Sequence, residues 1–357
     1  MPELNYDIII IGAGPAGATL ARLLDSNSYR VLLLDGQPLR KAKPCGGLLA
    51  PDAQKALACF ELTLPKSVLV SPQIFAVKTI DLGSGRIRYY PRSYVNLDRE
   101  KFDRWLLGLV PDSVEILSAN CLSVCRSAGG FSLKIRDAAG SEKALHSTYV
   151  VGADGANSLL RRSLFPRQKM DAYVSIQQWF KAGDRNPFYS CIFDPETSDS
   201  CSWSIHKDEY FIFGGAFAAH ACREAFERQK EKLRAYGFHF GEVLRTEACQ
   251  VLRPHGPGSF CLGADNAFLL GEASGLISPS SLEGISSAIL SATWLSQALN
   301  VDPEHALAQY RHSSRGLRMK LWAKCAKRWF MYEPLPRSLI MASGLSSIDV
   351  IPSGTGE

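Results

Sequence analysis

The sequence lacks the features that mark metal-binding, secreted and membrane-spanning proteins. None of its ten cysteines forms a Cys-x-x-Cys pair, and no histidines cluster near the one close pair, Cys121 and Cys125. We therefore expect no metal site, and the scattered thiols predict a reducing, cytoplasmic location. No apolar run reaches the roughly 18 residues that a membrane-spanning helix needs. The first residues carry no basic cluster of the kind that begins a signal peptide, so we expect none.

Internal repeats, low-complexity segments and a strong charge of one sign are also missing. The 357 residues include 40 Lys and Arg against 35 Asp and Glu, a formal net charge of +5. A hydrophobic share of 46% and a charged share of 21% are typical of globular proteins and exclude a disordered chain or a coiled coil. The small net charge does not indicate nucleic acid, and we expect no such partner. At roughly 150 residues per domain, the length predicts two joined domains.

Two short apolar runs near the N-terminus predict a βαβ unit. Residues 6–11 contain four consecutive isoleucines, which is typical of a strand buried on both faces of a parallel sheet. Residues 16–24 have helical spacing, and residues 30–35 form a second apolar run. Residues 149–154 and 267–271 have the same character. We expect further parallel strands there, each followed by a loop that contains glycine.

Between these segments the sequence alternates with period two. Residues 66–95 and 169–218 have the pattern of antiparallel strands with one face covered. His206 alternates away from Trp203 and is therefore predicted to lie at the surface. Residues 221–236 have helical spacing with a mostly apolar stripe.

These segments together predict an α/β fold. A Rossmann-type nucleotide-binding domain with a parallel sheet is interrupted by a β-rich substrate domain with a mostly antiparallel sheet, and helices follow at the C-terminus. We predict the nucleotide-binding domain at residues 1–65, 96–168 and 256–300, the substrate domain at residues 66–95 and 169–255, and the C-terminal segment at residues 301–357.

The loop after the first predicted strand carries the pattern G-x-G-x-x-G. Gly12 permits a tight turn, Gly14 lets the backbone approach a pyrophosphate, and Gly17 lets the helix pack closely on the strand. Asp35 ends the next strand, where a carboxylate can bind a ribose hydroxyl. Because a strand, a helix and an acidic residue accompany the glycines, we predict a dinucleotide site. The predicted turn also includes Pro15 and Ala16.

Two later loops indicate which dinucleotide binds. The sequence Gly-Ala-Asp-Gly follows one predicted strand, and Gly-Glu-Ala-Ser-Gly follows another. In this order the three motifs resemble those of the flavoprotein hydroxylase superfamily, which implies FAD as the cofactor. The contacts that the resemblance implies are Asp154, Gly271, Glu272, Gly284 and Ile285, the last two through their backbone at a helix start. Glu272 stands where the family has aspartate, so its side chain is one methylene longer.

A shorter motif narrows the resemblance. Lys-Pro-Cys-Gly-Gly at residues 43–47 is similar to the Cys-Gly-Gly element of the geranylgeranyl reductase branch, which reduces isoprenoid double bonds. Residues 96–106 match the Arg-x-x-Phe-Asp-x-x-Leu helix start of that branch. The Tyr-x-Trp-x-Phe-Pro element of the branch matches residues 201–206 at Trp203 alone.

The branch implies roles for four residues of these motifs. Cys45 is the predicted catalytic residue, because a thiol is largely protonated at pH 7 and can donate a proton beside the flavin. The alternative is a loop cysteine without a role. Gly46 and Arg99 are predicted to approach the flavin, although Arg99 could instead remain solvated at the helix start. Trp203 is predicted either to line the substrate site or to pack in the core.

Residues 305–332 contain no acidic residue. The cations of this segment are Arg311, Arg315, Arg318, Lys320, Lys324, Lys327 and Arg328. Apolar side chains recur at Leu317, Leu321, Cys325 and Trp329. This pattern predicts a basic amphipathic helix, for which three roles remain open. Residues 311–330 could contact an anionic membrane at its inner face, cap the nucleotide-binding domain, or recognise an anionic substrate headgroup.

The motifs together predict an FAD-dependent oxidoreductase that reduces carbon–carbon double bonds of an apolar substrate such as an isoprenoid. The electrons would come from NAD(P)H or from reduced ferredoxin or flavin. One alternative is an FAD-dependent aromatic monooxygenase. An alternative of another class is a flavin-binding regulatory or resistance protein with little turnover.

Overall fold

The computed structural model describes residues 4–36, 44–168, 170–183, 186–187 and 189–349. The strands are β1 (Leu4–Ile11), β2 (Val31–Leu34), β3 (Leu48–Leu49), β4 (Ile74–Asp81), β5 (Arg86–Asn96), β6 (Glu115–Leu117), β7 (Ala119–Ser127), β8 (Gly130–Asp137), β9 (Glu142–Gly152), β10 (Asp171–Lys181), β11 (Tyr189–Phe193), β12 (Cys201–Lys207), β13 (Tyr210–Ala218), β14 (Arg245–Arg253), β15 (Gly263–Ala264) and β16 (Ala267–Leu269). The α-helices are α1 (Pro15–Leu23), α2 (Pro51–Ala58), α3 (Arg99–Leu107), α4 (Leu159–Leu164), α5 (Cys222–Arg234), α6 (Ile285–Val301), α7 (Ala306–Ser313), α8 (Arg315–Tyr332) and α9 (Pro334–Ser343).

The first sheet has a parallel centre. Its main order is β15-β16-β9-β1-β2-β6, and β1 is parallel to both β2 and β9. Alternate residues of β1 face two different cores: Ile8 and Ile10 pack with α1 and α6, whereas Ile9 and Ile11 pack with β7, β8 and α4. This burial on both faces explains the continuous apolar run. The predicted βαβ unit and Rossmann-type sheet are confirmed.

The second sheet has the order β14-β10-β13-β12-β11-β4-β5-β3. Its neighbouring strands pair antiparallel except for β4 and β11, which are parallel. The mostly antiparallel sheet predicted from the period-two pattern is therefore confirmed.

The expectation that only one face of this sheet is covered is wrong at β12. Ser202, Ser204 and His206 are buried, and the His206 ring lies 5.3 Å from that of Phe211. Phenylalanines of β13 form a core on this face with α5 and with Phe238. His206 is consequently a core residue and not the surface histidine that the alternation suggested.

The C-terminal basic segment forms two helices. The helix is interrupted between α7 and α8 at Ser314. The hydroxyl of Ser314 donates a hydrogen bond to the carbonyl of Tyr310 at 2.7 Å. In α8, Leu321 is buried and Leu317 half-buried against the core of the first sheet. Helix α8 therefore packs on the core of the first sheet, as the capping role requires. Within the described residues, no helix combines the length and the hydropathy needed to cross a bilayer.

Candidate functional site

The turn between β1 and α1 requires two of its glycines. Gly12 has φ +106°, and a Cβ atom there would lie 2.7 Å from the carbonyl oxygen of Ala153. A Cβ atom at Gly17 would lie 1.9 Å from the carbonyl oxygen of Gly12. Both distances are too short for any side chain, so these glycines let α1 approach β1 and the loop after β9 closely.

Gly14 differs from its neighbours because the space in front of it is open. It is the N-cap residue of α1 and, as a glycine, has no side chain that could cap the first N–H groups of the helix. A Cβ atom at this position would meet no atom within 4 Å. The positive end of α1 therefore faces room for an anionic group, which fits the pyrophosphate of a dinucleotide. Pro15 and Ala16 follow as the first helical residues.

The other two glycine-containing loops meet this turn. The N–H group of Ala153 donates to the carbonyl of Ile11 at 2.8 Å, which brings Asp154 beside the end of β1. Gly271 adopts φ +51°, and a Cβ atom there would lie 3.6 Å from Ala16 Cβ. The three motifs thus converge at one edge of the sheet. Asp35, at the end of β2, is hydrogen-bonded through its N–H group to Leu117.

The two acidic residues of these loops are held differently. Asp154 Oδ2 accepts a hydrogen bond from the Leu159 N–H group at 2.7 Å at the start of α4, and burial raises the pKa of this carboxyl. Glu272 Oε1 accepts from the N–H group of Leu252 at 2.9 Å, which lies on β14 of the second sheet. The extra methylene of Glu272 thus serves a contact between the two sheets that the motif did not predict.

Gly284 is the N-cap residue of α6 and has no side chain to cap it, so the N-terminus of α6 also presents backbone N–H groups. A cavity of about 20 Å³ lies at the start of α6, with Ser286 and Ser287 in its lining. Glu283 also lines it, and its carboxylate accepts a hydrogen bond from the Tyr94 hydroxyl at 3.1 Å. The resemblance placed the flavin edge at this helix start.

The Cys45-Gly46-Gly47 loop lies directly on β12. A Cβ atom at Gly46 would be 2.7 Å from Ile205 Cδ1 and 3.7 Å from the Trp203 ring. Gly47 has φ +62°, and a Cβ atom there would lie 2.4 Å from the carbonyl oxygen of Leu97. Gly47 is therefore required for this close approach, whereas a side chain at Gly46 would have to displace the end of Ile205; the two glycines place Cys45 beside the second sheet. Lys43 of the predicted motif lies outside the described residues.

The Arg99 side chain, only 11% exposed, lies beside Cys45 and is not the solvated residue that one alternative predicted. Its guanidinium forms a two-pronged ion pair with Asp103 at 3.0–3.2 Å and interacts electrostatically with Cys45. Burial opposes the charge, yet Asp103 and Cys45 together raise the pKa of Arg99 above its usual value. The Cys45 sulfur also accepts a hydrogen bond from the Gly47 N–H group at 3.5 Å.

Lys207 is a site residue that the motifs did not reveal. Its buried ammonium donates hydrogen bonds to the carbonyl of Leu97 at 2.6 Å, to Asn96 Oδ1 at 2.8 Å and to the carbonyl of Gly47 at 3.4 Å. Burial lowers the pKa of Lys207 to about 7, while the nearby Cys45 opposes this shift. The period-two pattern could have located Lys207, because it shares a face of β12 with Trp203.

The Trp203 ring lies next to Gly46 of the Cys45 loop and next to Gly214 of β13. A Cβ atom at Gly214, its partner on β13, would lie 2.8 Å from the indole ring, so the ring covers this glycine. Its Nε1 atom is buried and has no acceptor among the described residues. Trp203 therefore contacts the loop that contains Cys45 and also packs against β13.

The sequence comparisons identify the family. Protein CbrA from Escherichia coli O157:H7 is 46% identical over 349 residues, which cover 96% of this chain and 98% of that protein. Protein CbrA from Shigella dysenteriae serotype 1 is also 46% identical over the same length. The chain belongs to the CbrA family. No protein-family model matches it.

Solved structures show the fold of this CbrA-family chain. A geranylgeranyl bacteriochlorophyll reductase-like protein from Thermoplasma acidophilum has a TM-score of 0.79 at 17% identity, covering 98% of this chain and 94% of that one. The p-nitrophenol 4-monooxygenase PnpA from Pseudomonas putida has a TM-score of 0.72 at 16% identity, covering 96% and 93%. PqsL from Pseudomonas aeruginosa, a probable FAD-dependent monooxygenase, has a TM-score of 0.67 at 19% identity, covering 95% and 100%. The predicted flavoprotein hydroxylase-like fold is confirmed.

In this CbrA-family chain the predicted residues form two neighbouring groups. The glycine loops with Asp35 and Asp154 lie at the edge of the first sheet, and Cys45, Arg99 and Trp203 lie against the second. Glu272 connects the two sheets. Across the described residues, no group of three His, Cys, Asp or Glu side chains is arranged to hold a metal.

Proposed function

We propose that this protein is an FAD-dependent oxidoreductase that reduces a carbon–carbon double bond in an apolar substrate, with Cys45 as the proton donor. The observation that carries the proposal is the position of Cys45. The Gly46-Gly47 turn, in which Gly47 leaves no room for a side chain, holds it against β12, and two cations, the largely buried Arg99 and the buried Lys207, lie beside it. The fold likeness to a geranylgeranyl bacteriochlorophyll reductase-like protein supports this choice of reaction.

The residues present fit FAD. Gly12, Gly14 and Gly17 would hold its pyrophosphate at the open N-terminus of α1. Asp35 would bind the ribose, and Asp154 would support the loop beside it. The remaining contacts would come from Gly271, Glu272, Gly284, Ile285 and Gly46. FAD, when bound, supplies the hydride, and reduced nicotinamide, ferredoxin or flavin would have to replenish its electrons.

The surroundings of Cys45 suit a general acid. Its sulfur accepts a hydrogen bond from the Gly47 N–H group, which orients the thiol and leaves its own proton available to a substrate carbon. The Arg99 guanidinium interacts electrostatically with the same sulfur. After the proton leaves, the sulfur carries a negative charge. Arg99 and Lys207 would stabilise that charge, because opposite charges attract strongly at a site with little water. The face of Trp203 beside this loop would hold the apolar substrate.

The test is anaerobic stopped-flow mixing of reduced protein with alkene substrates, in which flavin reoxidation is followed. Cys45→Ala is expected to retain FAD and to slow reoxidation by about 10²–10⁴-fold, the usual effect of a positioned general acid. Cys45→Ser should recover little, because a hydroxyl is a far weaker acid than a thiol. Cys59→Ala, which removes an exposed thiol at the end of α2, is the matched control and should react as the wild type does. An unchanged rate in Cys45→Ala would reject Cys45 as the acid.

The likeness to PnpA and PqsL favours a second candidate, an FAD-dependent aromatic monooxygenase. The same reduced protein distinguishes the two. Reoxidation by an alkene in the absence of oxygen supports the reductase, and oxygen consumption coupled to hydroxylation of an aromatic compound supports the monooxygenase. Neither reaction would be expected of a flavin-binding regulatory or resistance protein.

A further inference from the structure

Helix α8 presents an apolar face to solvent. Met319, Trp322, Trp329 and Phe330 are 55%, 54%, 56% and 50% exposed. With 3.6 residues per turn, these four side chains and Ala326 lie on one side of the helix. We call this set the outer face. The opposite side contains Leu321 and Tyr332, which are buried against the rest of the protein. An amphipathic helix of a globular protein normally has one apolar side, packed on the core, and a charged side outward, so a second apolar side turned to solvent is unusual.

Helix α9 continues the pattern. Leu335 and Leu339 stand one turn apart and are 79% and 71% exposed. The corner between α8 and α9 is held rigidly by Arg337, which is buried and donates to the carbonyls of Met331 and Tyr332 at 3.1 and 2.8 Å. Its Nη2 atom donates a hydrogen bond to the carboxylate of Asp81 on β4 at 2.9 Å. The exposed apolar side chains are therefore on helices fixed to the body of the protein, and exposed apolar side chains grouped on one side of a helix, as on α8, mark an interaction site.

Cations surround the outer face. Two of the seven cations in this segment have acidic partners on the body: Lys320 pairs with Asp52 at 2.6 Å, and Arg328 pairs with Asp199 at 2.8 Å. Arg315 and Lys327 are exposed and have no acidic partner among the described residues. An apolar face bordered by unpaired positive charge is complementary to a surface that is apolar below and anionic above.

We propose that the outer face of α8, together with the exposed leucines of α9, docks the protein on a bilayer that contains anionic phospholipid. Tryptophan favours the interface between water and lipid, and basic residues are attracted to anionic headgroups. A second copy of the chain is a poorer occupant. A two-fold contact through this face would bring the unpaired cations of both copies together at a self-complementary interface.

The test is co-sedimentation of the purified protein with two kinds of vesicle, phosphatidylcholine alone and phosphatidylcholine mixed with phosphatidylglycerol. We expect at least tenfold stronger binding to the mixed vesicles and release by added salt, because screening acts within about 8 Å at physiological ionic strength. Arg315→Glu with Lys327→Glu should abolish binding and leave the FAD content unchanged. Trp322→Gln with Trp329→Gln should weaken it at least tenfold.

The matched control reverses the same number of charges elsewhere. Lys101 and Arg223 are exposed on α3 and α5, away from the outer face, so Lys101→Glu with Arg223→Glu should bind mixed vesicles as the wild type does. Equal binding to both kinds of vesicle would overturn the proposal, as would wild-type binding by the Arg315/Lys327 variant. A dimer in analytical ultracentrifugation that the Trp322/Trp329 variant loses, without vesicle binding, would assign the face to a second copy. No turnover is measured, so this result is independent of the proposed reaction.

Discussion

Gly14 and Gly17 stand three residues apart at the start of α1, yet a side chain would have opposite consequences at the two positions. At Gly14 a Cβ atom meets nothing within 4 Å, whereas at Gly17 it would lie 1.9 Å from the carbonyl oxygen of Gly12. We expect Gly14→Val to fold and to lose FAD, because its side chain fills the space in which the pyrophosphate would lie. Gly17→Val should instead lower the melting temperature strongly.

Absorbance of the flavin released from purified protein, combined with thermal unfolding, separates the two effects. A Gly14→Val protein with one FAD per chain would show that the pyrophosphate does not bind at this turn.

The glycine positions are also where the sequence was most informative. A glycine required by a close backbone approach leaves a fixed spacing in the sequence, and the spacing of Gly12, Gly14 and Gly17 predicted their surroundings. Glu272 shows the opposite case. The motif predicted an acidic residue at this position. Its hydrogen bond to Leu252 could not be predicted, because Leu252 lies on β14 of the second sheet and its position depends on the packing of the two sheets.

At the scale of the element, Lys207 fastens the Cys45-Gly46-Gly47 loop to β12 and to the end of β5. The ammonium has three oxygen acceptors, and one of them, Asn96, is itself fixed because its amide donates to the carbonyls of Pro72 and His206. This network depends on residues that are far apart in the chain. The alternation in β12 predicted which residues share a face with Trp203, but not that both faces would be buried, because the phenylalanines that cover Ser204 and His206 come from other elements.

Burial of Lys207 makes the stability of the fold depend on pH. Its pKa falls from 10.5 to about 7 on folding, so between these pH values the unfolded chain binds more protons than the folded one. The free energy of unfolding should therefore rise with pH across this window, by up to about 1.4 kcal/mol per pH unit from this group, and the gain should be lost as the pH falls towards 7.

Chemical denaturation of wild type and Lys207→Met at several pH values within this window measures the contribution. The variant will be less stable overall because three acceptors lose their donor. The informative quantity is the slope of the unfolding free energy against pH, which should be smaller in the variant. Parallel lines for the two proteins would contradict the lowered pKa.

At the scale of the whole molecule, Glu272 joins the loop after β16 to β14 and so connects the two sheets. Aspartate at this position would restore the pattern of the wider superfamily but would be one methylene too short to reach Leu252. We expect Glu272→Asp to lower the free energy of unfolding of the FAD-free protein by about 1.5–3 kcal/mol, the range for a hydrogen bond to a charged group. Denaturant titration measures it.

Glu272→Gln is the control for that experiment, because glutamine keeps both the length of the side chain and a carbonyl oxygen that can accept from Leu252. It should lose less stability than Glu272→Asp. If the two variants were equally stable, the greater length of the glutamate side chain would have no role in joining the sheets.

The side of α8 opposite the outer face lines a cavity of the protein. Leu317, Leu321 and Lys324 line the small cavity beside the start of α6, where the flavin edge is expected. A protein docked through the outer face would therefore hold this cavity roughly one helix diameter, 10 Å, from the lipid. An apolar substrate dissolved in the bilayer would then be encountered by lateral diffusion in two dimensions. The reaction rate would follow the mole fraction of substrate among the lipids, so that adding inert lipid would slow turnover by surface dilution even when the bulk substrate concentration stayed the same.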